Sequence, residues 1–236
     1  MKIDVNAPVL DKNVRLAAEN RERFDAAGVF VLDLLASPGA GKTSTILATI
    51  AALRDRYRIA VIEGDIASSV DADKIKAHGV PAVQINTGGA CHLESDMIRR
   101  AIDTLDLAAI DLLIIENVGN LVCPTEFDLG EDAKVMILSV PEGHDKPYKY
   151  PNIFARAEAV ILNKYDTLHV FDFDESEFRE VVSRINASAP VFPISATKGE
   201  GVDEWARWLT ERIESARAMR VASGSAGAEA RSASGA

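Results

Sequence analysis

Two cysteines occur in the 236 residues, and each has chemically suggestive neighbours. Cys91 is followed directly by His92 in Thr87-Gly-Gly-Ala-Cys-His-Leu93, and Cys123 ends the stretch Glu116-Asn-Val-Gly-Asn-Leu-Val-Cys123. Thiols and imidazole suit borderline or soft ions such as Zn²⁺ and Ni²⁺. Upstream lies Ala36-Ser-Pro-Gly-Ala-Gly-Lys-Thr43, which ends as a phosphate-binding loop must, in Gly41-Lys42-Thr43.

The first position of that loop is Ala36 rather than Gly, at a strand-to-loop turn where a small residue suffices. Gly39 and Gly41 let backbone N–H groups approach phosphate oxygens. Lys42 is expected to reach the β- and γ-phosphates and the Thr43 hydroxyl to bind Mg²⁺. Ser37, Pro38, Ala40 and Ser44 complete the cradle, at a helix N-terminus that favours an anion. Glu116 ends an apolar strand where nucleotide hydrolases place an acid. Gly119, three residues on, is expected to offer its N–H to the γ-phosphate, and Asp65 is a further magnesium-side acid. Asn120 stands where many signalling GTPases carry a water-orienting Gln, so intrinsic hydrolysis is expected to be slow.

The base is read from Asn163-Lys164-Tyr165-Asp166 and, one strand later, Ser195-Ala196-Thr197-Lys198. The Asp166 carboxylate accepts two hydrogen bonds that guanine can donate and adenine cannot. Two such matches, in order after a phosphate loop, make the nucleotide GTP.

For the metal, spacing alone leaves two readings open: a site, or two small buried residues. A Cys91–Cys123 disulfide is disfavoured in the cytosol. Cys91, His92 and Cys123 give three ligands; water, Glu94, Asp96 or a second subunit could complete the set. His78, His144 and His169 are scattered and read as surface or polar-loop residues.

The elements that must position these groups alternate between strand and helix. Strands are expected over residues 29–35, 58–62, 82–85, 111–115, 134–140, 159–162 and 191–194, and helices over 9–26, 42–54, 71–78, 94–105, 173–187 and 202–217. Leu10, Val14, Ala17 and Phe24 form the apolar stripe of the first helix, and Trp205, Trp208, Leu209 and Ile213 that of the last. This is an α/β fold, a mostly parallel sheet flanked by helices on both faces, as in P-loop GTPases. Residues 1–27 read as an N-terminal helical extension and 28–218 as the GTPase domain with inserted metal-binding loops. Residues 219–236, rich in Ala, Ser and Gly, read as a disordered tail. The net charge of −10 argues against nucleic acid and anionic membranes as partners. No apolar run reaches ~18 residues, and no signal pattern opens the chain, so the expected compartment is the cytoplasm.

The chain resembles the nickel-binding GTPases of [NiFe]-hydrogenase maturation, the HypB family, from the N-terminal helix to about Leu209. The resemblance rests on Ser37-Pro-Gly-Ala-Gly-Lys-Thr, Glu63-Gly-Asp, Asn86-Thr-Gly-Gly-Ala-Cys-His-Leu, Glu116-Asn-Val-Gly-Asn-Leu-Val-Cys-Pro, Val140-Pro-Glu-Gly, Lys149-Tyr-Pro and Asn163-Lys-Tyr-Asp. It implies GTP-driven insertion of Ni²⁺ into a hydrogenase large-subunit precursor. It also implies a Cys91/His92/Cys123 metal site, with Zn²⁺ an alternative ion, at a GTP-dependent homodimer interface, and a HypA-type nickel accessory protein as exchange partner. No cysteine precedes Cys91 and no histidine-rich stretch occurs, so the GTPase-domain site is expected to carry the metal role. Urease-type nickel GTPases differ in carrying Cys-Pro-His as their metal motif, and cobalamin-enzyme chaperones are set apart on the same ground. Two other readings are a nucleotide-gated module with negligible turnover and a structural zinc site.

Overall fold

The first strand, β1 (Phe30–Ala36), is an almost unbroken apolar run and lies at the centre of the sheet, as a strand covered on both faces should. The structure is a computed structural model that describes residues 7–66 and 70–233, with side chains described for residues 10–66 and 70–222. Seven parallel strands are joined in the order β3-β2-β4-β1-β5-β6-β7. The others are β2 (Ile59–Asp65), β3 (Ala82–Asn86), β4 (Leu112–Glu116), β5 (Ala133–Ser139), β6 (Ala159–Asn163) and β7 (Val191–Pro193). Strand order reverses on either side of β1, and ligands of open parallel sheets bind at such a switch point.

The helices are α1 (Ala7–Ala27), α2 (Lys42–Leu53), α3 (Val70–Ala77), α4 (Ser95–Ile102), α5 (Lys146–Lys149), α6 (Pro151–Arg156), α7 (Glu175–Ile185) and α8 (Val202–Ala233). On one face Ile46 and Ile50 of α2, Ile75 of α3 and Trp205, Leu209 and Ile213 of α8 pack on Phe30, Leu32 and Leu34 of β1. On the other, Phe24 of α1 and Ile98 of α4 meet Val31 and Ile62, while Phe154 of α6 and Phe178 of α7 meet Leu35 and Met136. The two-residue period of β1 therefore puts Asp33 on the α1/α4 face, fully buried between Val31 and Leu35.

Three expectations change. Val14 does not belong to the buried stripe of α1; it is 62% exposed, and the helix docks through Asn13, Leu16, Ala17, Asn20 and Phe24. The asparagines bind backbone that would otherwise be orphaned. Asn20 Nδ2 donates to Ser95 O (2.9 Å) and Leu129 O (3.2 Å), Asn13 Nδ2 donates to Asp128 O (2.7 Å), and Ser95 N donates to Asn13 Oδ1 (2.8 Å). Secondly, α5 and α6 occupy a stretch for which no helix is expected. Each helix begins on or beside its proline, where the missing N–H costs nothing. Thirdly, α8 continues past residue 217, the expected end of the last helix. Arg220 there reaches Asp25 (2.7 Å) and Asp132 (2.5 Å), ties a count of apolar residues does not see; residues 234–236 lie outside the described residues.

Trp205 is fully buried, stacks on Trp208 (5.3 Å between centroids) and donates from Nε1 to Thr49 Oγ1 at 2.9 Å. The tryptophan pair is core, as its spacing indicates. Trp205→Ala is predicted to destabilise the fold by about 3–5 kcal/mol, read from denaturant midpoints.

Candidate functional site

The loop after β1 ends at Gly41, the residue before α2. Its left-handed turns fall at Gly39 and Gly41 (φ 80° and 95°), while Ala36 is an ordinary strand residue paired with Ile137. The departure at Ala36 therefore costs nothing. A cleft of about 460 Å³ opens above the loop, lined by Pro38, Gly39, Gly41, Lys42, Thr43 and Ser44 together with Glu63, Asp65, Asp71, Glu116, Gly119 and Lys164. Ala40 is buried behind it, and Ser37 Oγ donates to Glu142 Oε1.

Thr43 Oγ1 donates to Glu116 Oε1 at 3.1 Å. The second oxygen of Glu116 and Oε2 of Glu63 are buried with no hydrogen-bond partner among the described residues. Burial and neighbouring carboxylates push Glu63 up to about 8, and burial pushes Glu116 up to about 7 although Lys42 opposes it. These orphaned oxygens fit a divalent cation, whose charge would remove the cost of ionising them. Asp65 gathers with Glu63 and Asp71, one oxygen of each within 4.8 Å of the others. Asp71, from the first turn of α3, was not legible as a site residue, because an acid there also reads as a simple helix start. Burial lowers the Lys42 ammonium despite Glu116, Asp71, Glu142 and Glu63 around it.

At the base end, Asn163 Nδ2 donates to Ala40 O (2.9 Å) and Lys164 Nζ to Gly39 O (2.7 Å). Both residues thus brace the phosphate loop. Ala196 N donates to Asn163 Oδ1 (3.3 Å), and Lys198 lies 3.3 Å from Asp166. Ser195, with Lys198 adding to it, holds the Asp166 carboxyl below its ordinary range, ready as an acceptor. Thr197 is exposed in the turn between them.

The second constellation joins the loop after β3 to the loop after β4. Ligand atoms of Cys91, His92 and Cys123 all lie within 4.8 Å of one another, and Cys91 Sγ is 3.5 Å from His92 Nδ1. The thiols are free, not bridged. Contact with Cys123, then burial, raises the Cys91 thiol. Burial lowers the His92 imidazole against the pull of Glu94, favouring the neutral form that ligates metals. His92 Nε2 is 3.8 Å from Glu94 Oε1, and its ring lies 3.8 Å from that of Phe127. Of the two acids named as possible further ligands, Glu94 lies beside His92 Nε2 but outside the three-residue cluster. Asp96 is instead engaged by Arg99 and Arg100 of its own helix. Asn120 is not among the residues lining the phosphate-loop cleft; its Nδ2 donates to Cys91 O at 3.2 Å. His78 bonds Lys74 O, His144 accepts from Asp174 N, and His169 is exposed, all away from the metal ligands.

The segment 116–123 touches both constellations. A Cβ on Gly119 would sit 2.9 Å from Pro38 N, so segment and phosphate loop are in backbone contact. Leu93, next to His92, packs against Gly64 between Glu63 and Asp65, where a Cβ would meet it at 2.8 Å.

A family model described as the CobW/HypB/UreG nucleotide-binding domain matches residues 31–193. The hydrogenase maturation factor HypB of Azotobacter vinelandii is 52% identical over 205 residues, 87% of this chain and 68% of that one. The chain belongs to the HypB family. Among solved structures, HypB from Helicobacter pylori in complex with nickel superposes with a TM-score of 0.83 at 42% identity, covering 86% of this chain and 96% of that one. The HypB of Archaeoglobus fulgidus gives 0.81 at 34% identity, covering 86% and 99%. Membership makes the chain a GTP-hydrolysing metallochaperone of HypB type, with a Cys/His cluster suited to its cargo. No helix among the described residues is long and apolar enough to cross a membrane.

Gly119→Ala is predicted to force the segment off Pro38. Overpacking costs of about 1–3 kcal/mol would weaken a non-hydrolysable GTP analogue by about fivefold or more, with GDP less affected, as measured by calorimetric titration.

Proposed function

We propose that the cargo is Ni²⁺, held by Cys91, His92 and Cys123 and delivered to a [NiFe]-hydrogenase large-subunit precursor in the cytoplasm. The observation that carries this is the convergence of two thiols and an imidazole from two different loops, one of which also touches the phosphate loop. The HypB relatives, one of them solved with nickel, support the same choice of ion. Zn²⁺ would be accepted by the same donors. The residues from 28 to 218 act as the GTPase domain, with α1 as an extension braced on the metal loops.

In this reading Ser37 to Ser44 cradle the phosphates, Lys42 meets the β- and γ-phosphates, and Asn163, Lys164, Asp166, Ser195, Ala196 and Thr197 form the guanine end. Thr43, Glu116 and Asp65 would hold Mg²⁺, which supplies charge neutralisation at the phosphates when bound. Gly119 presents its N–H toward the γ-phosphate. Because Glu116, Gly119 and Cys123 share one short segment, settling Gly119 shifts Cys123 against its partner ligands. Three protein ligands leave the set incomplete, which favours completion across a GTP-dependent homodimer. A HypA-type accessory protein would exchange nickel at the same exposed thiol, Cys91.

Cys123→Ala is predicted to retain GDP binding but to lose nickel affinity by at least about a hundredfold, the upper end of what losing a mere supporting partner costs. Equilibrium titration with a chromophoric competitor reads this. Unchanged nickel stoichiometry and affinity would reject the assignment.

A further inference from the structure

Asn117, between the magnesium-side Glu116 and Gly119, is 1% exposed, and its amide bonds to β1, to the loop after β3 and to its own neighbour. Its Oδ1 accepts from Leu93 N (3.1 Å) and Val118 N (3.0 Å). Its Nδ2 donates to Asp33 Oδ1 (3.1 Å). Asp33 is the register partner of Lys134 across β1 and β5, and their charged atoms are 3.1 Å apart. Lys134 in turn donates to Phe127 O (3.0 Å) and pairs with Glu131 (2.5 Å), whose Oε2 accepts from Leu129 N at 2.7 Å.

A buried chain of this kind is weak evidence for stability, since well-packed apolar residues usually serve as well. What it does supply is fixed geometry. Its ends grip the backbone on both sides of His92: Leu93 is the next residue, and Phe127 carries the ring that lies on the imidazole. None of its hydrogen bonds reaches residues 119–126, the stretch that contains Cys123. The His92 side of the metal cluster is thus tied to the central strand, whereas the Cys123 loop meets the other metal loop through Asn120 and Cys91 O and has no bond to that chain.

We infer that Asn117 is a positioning residue of the metal centre: through Leu93 N–H it locks the Cys91/His92 half to Asp33 of β1, so that a nucleotide-driven shift of residues 119–123 moves Cys123 against a fixed imidazole. The inference rests on the assignment of Cys91, His92 and Cys123 as cargo ligands. In Asn117→Ala the Leu93 N–H loses its acceptor and His92 its reference point. Nickel should then bind about tenfold more weakly, the usual effect of removing a partner that orients a ligand. The difference in nickel affinity between the GDP and GTP-analogue states should shrink as well.

The experiment adds NiCl₂ to purified wild-type, Asn117→Ala and Asp33→Asn proteins, each with GDP or a GTP analogue. It follows the thiolate-to-nickel charge-transfer band, the nickel affinity and the melting temperature. Asp33→Asn weakens the pair with Lys134 but keeps an oxygen that accepts from Asn117, so it should melt lower yet keep the wild-type nickel band. Asn117→Ala should shift the band while retaining GDP affinity. A wild-type band, affinity and nucleotide response in Asn117→Ala would overturn the inference alone. Nickel losses in both variants that merely follow lost stability would also overturn it. Wild-type protein that takes up no nickel would overturn the cargo assignment, and this inference with it.

Discussion

Gly119 lies so close to Pro38 that a Cβ there would stand 2.9 Å from the proline nitrogen. That contact is the constraint around which the rest is arranged. The segment leaving β4 begins at a buried acid bonded to Thr43, passes over the phosphate loop, and reaches Cys123 only seven residues after Glu116. Because the tether is short and its start is buried in the sheet, a displacement at Gly119 cannot be absorbed before it reaches the thiol. The same segment reaches back to the other metal loop, through Asn117 to Leu93 N and through Asn120 to Cys91 O. Nucleotide and cargo sites are thus joined by covalent chain and by two side-chain amides.

Electrostatics reinforce that arrangement. Glu63, Asp65, Asp71 and Glu116 line the cleft that holds Lys42. Burial raises both Glu63 and Glu116, which disfavours their ionised forms when no cation is bound. A cation arriving with the nucleotide would favour the ionised forms instead. At the metal loops, burial lowers the His92 imidazole. Leu93 against Gly64 links the two environments sterically.

Local patterns in the chain carry much of this. The apolar run of β1, the Gly-Lys-Thr ending and the Asn-Lys-Tyr-Asp segment each encode a local geometry, and the parallel sheet follows from the alternation of elements. The tryptophan spacing of α8 likewise predicts its buried face. What local pattern misses is polar and long-range. Asn13 and Asn20 dock α1 because backbone groups of α4 and of the turn at Asp128–Leu129 need partners, a demand set by tertiary contacts. Asp33 and Lys134 look like interruptions of two apolar strands until their register makes them partners. Asp71 and Glu142 reach the phosphate loop only once the sheet has brought their loops to the same edge. The prolines of α5 and α6 carry two meanings, and only the helix ends decide between them.

The central claim is that nucleotide state and cargo affinity are coupled through residues 116–123. The most direct measurement is the nickel affinity of the wild-type protein with saturating GDP and with a saturating non-hydrolysable GTP analogue. The coupling predicts two different affinities, and linkage requires nickel to change the analogue-to-GDP affinity ratio by the same factor. Identical nickel affinities in the two states would contradict it.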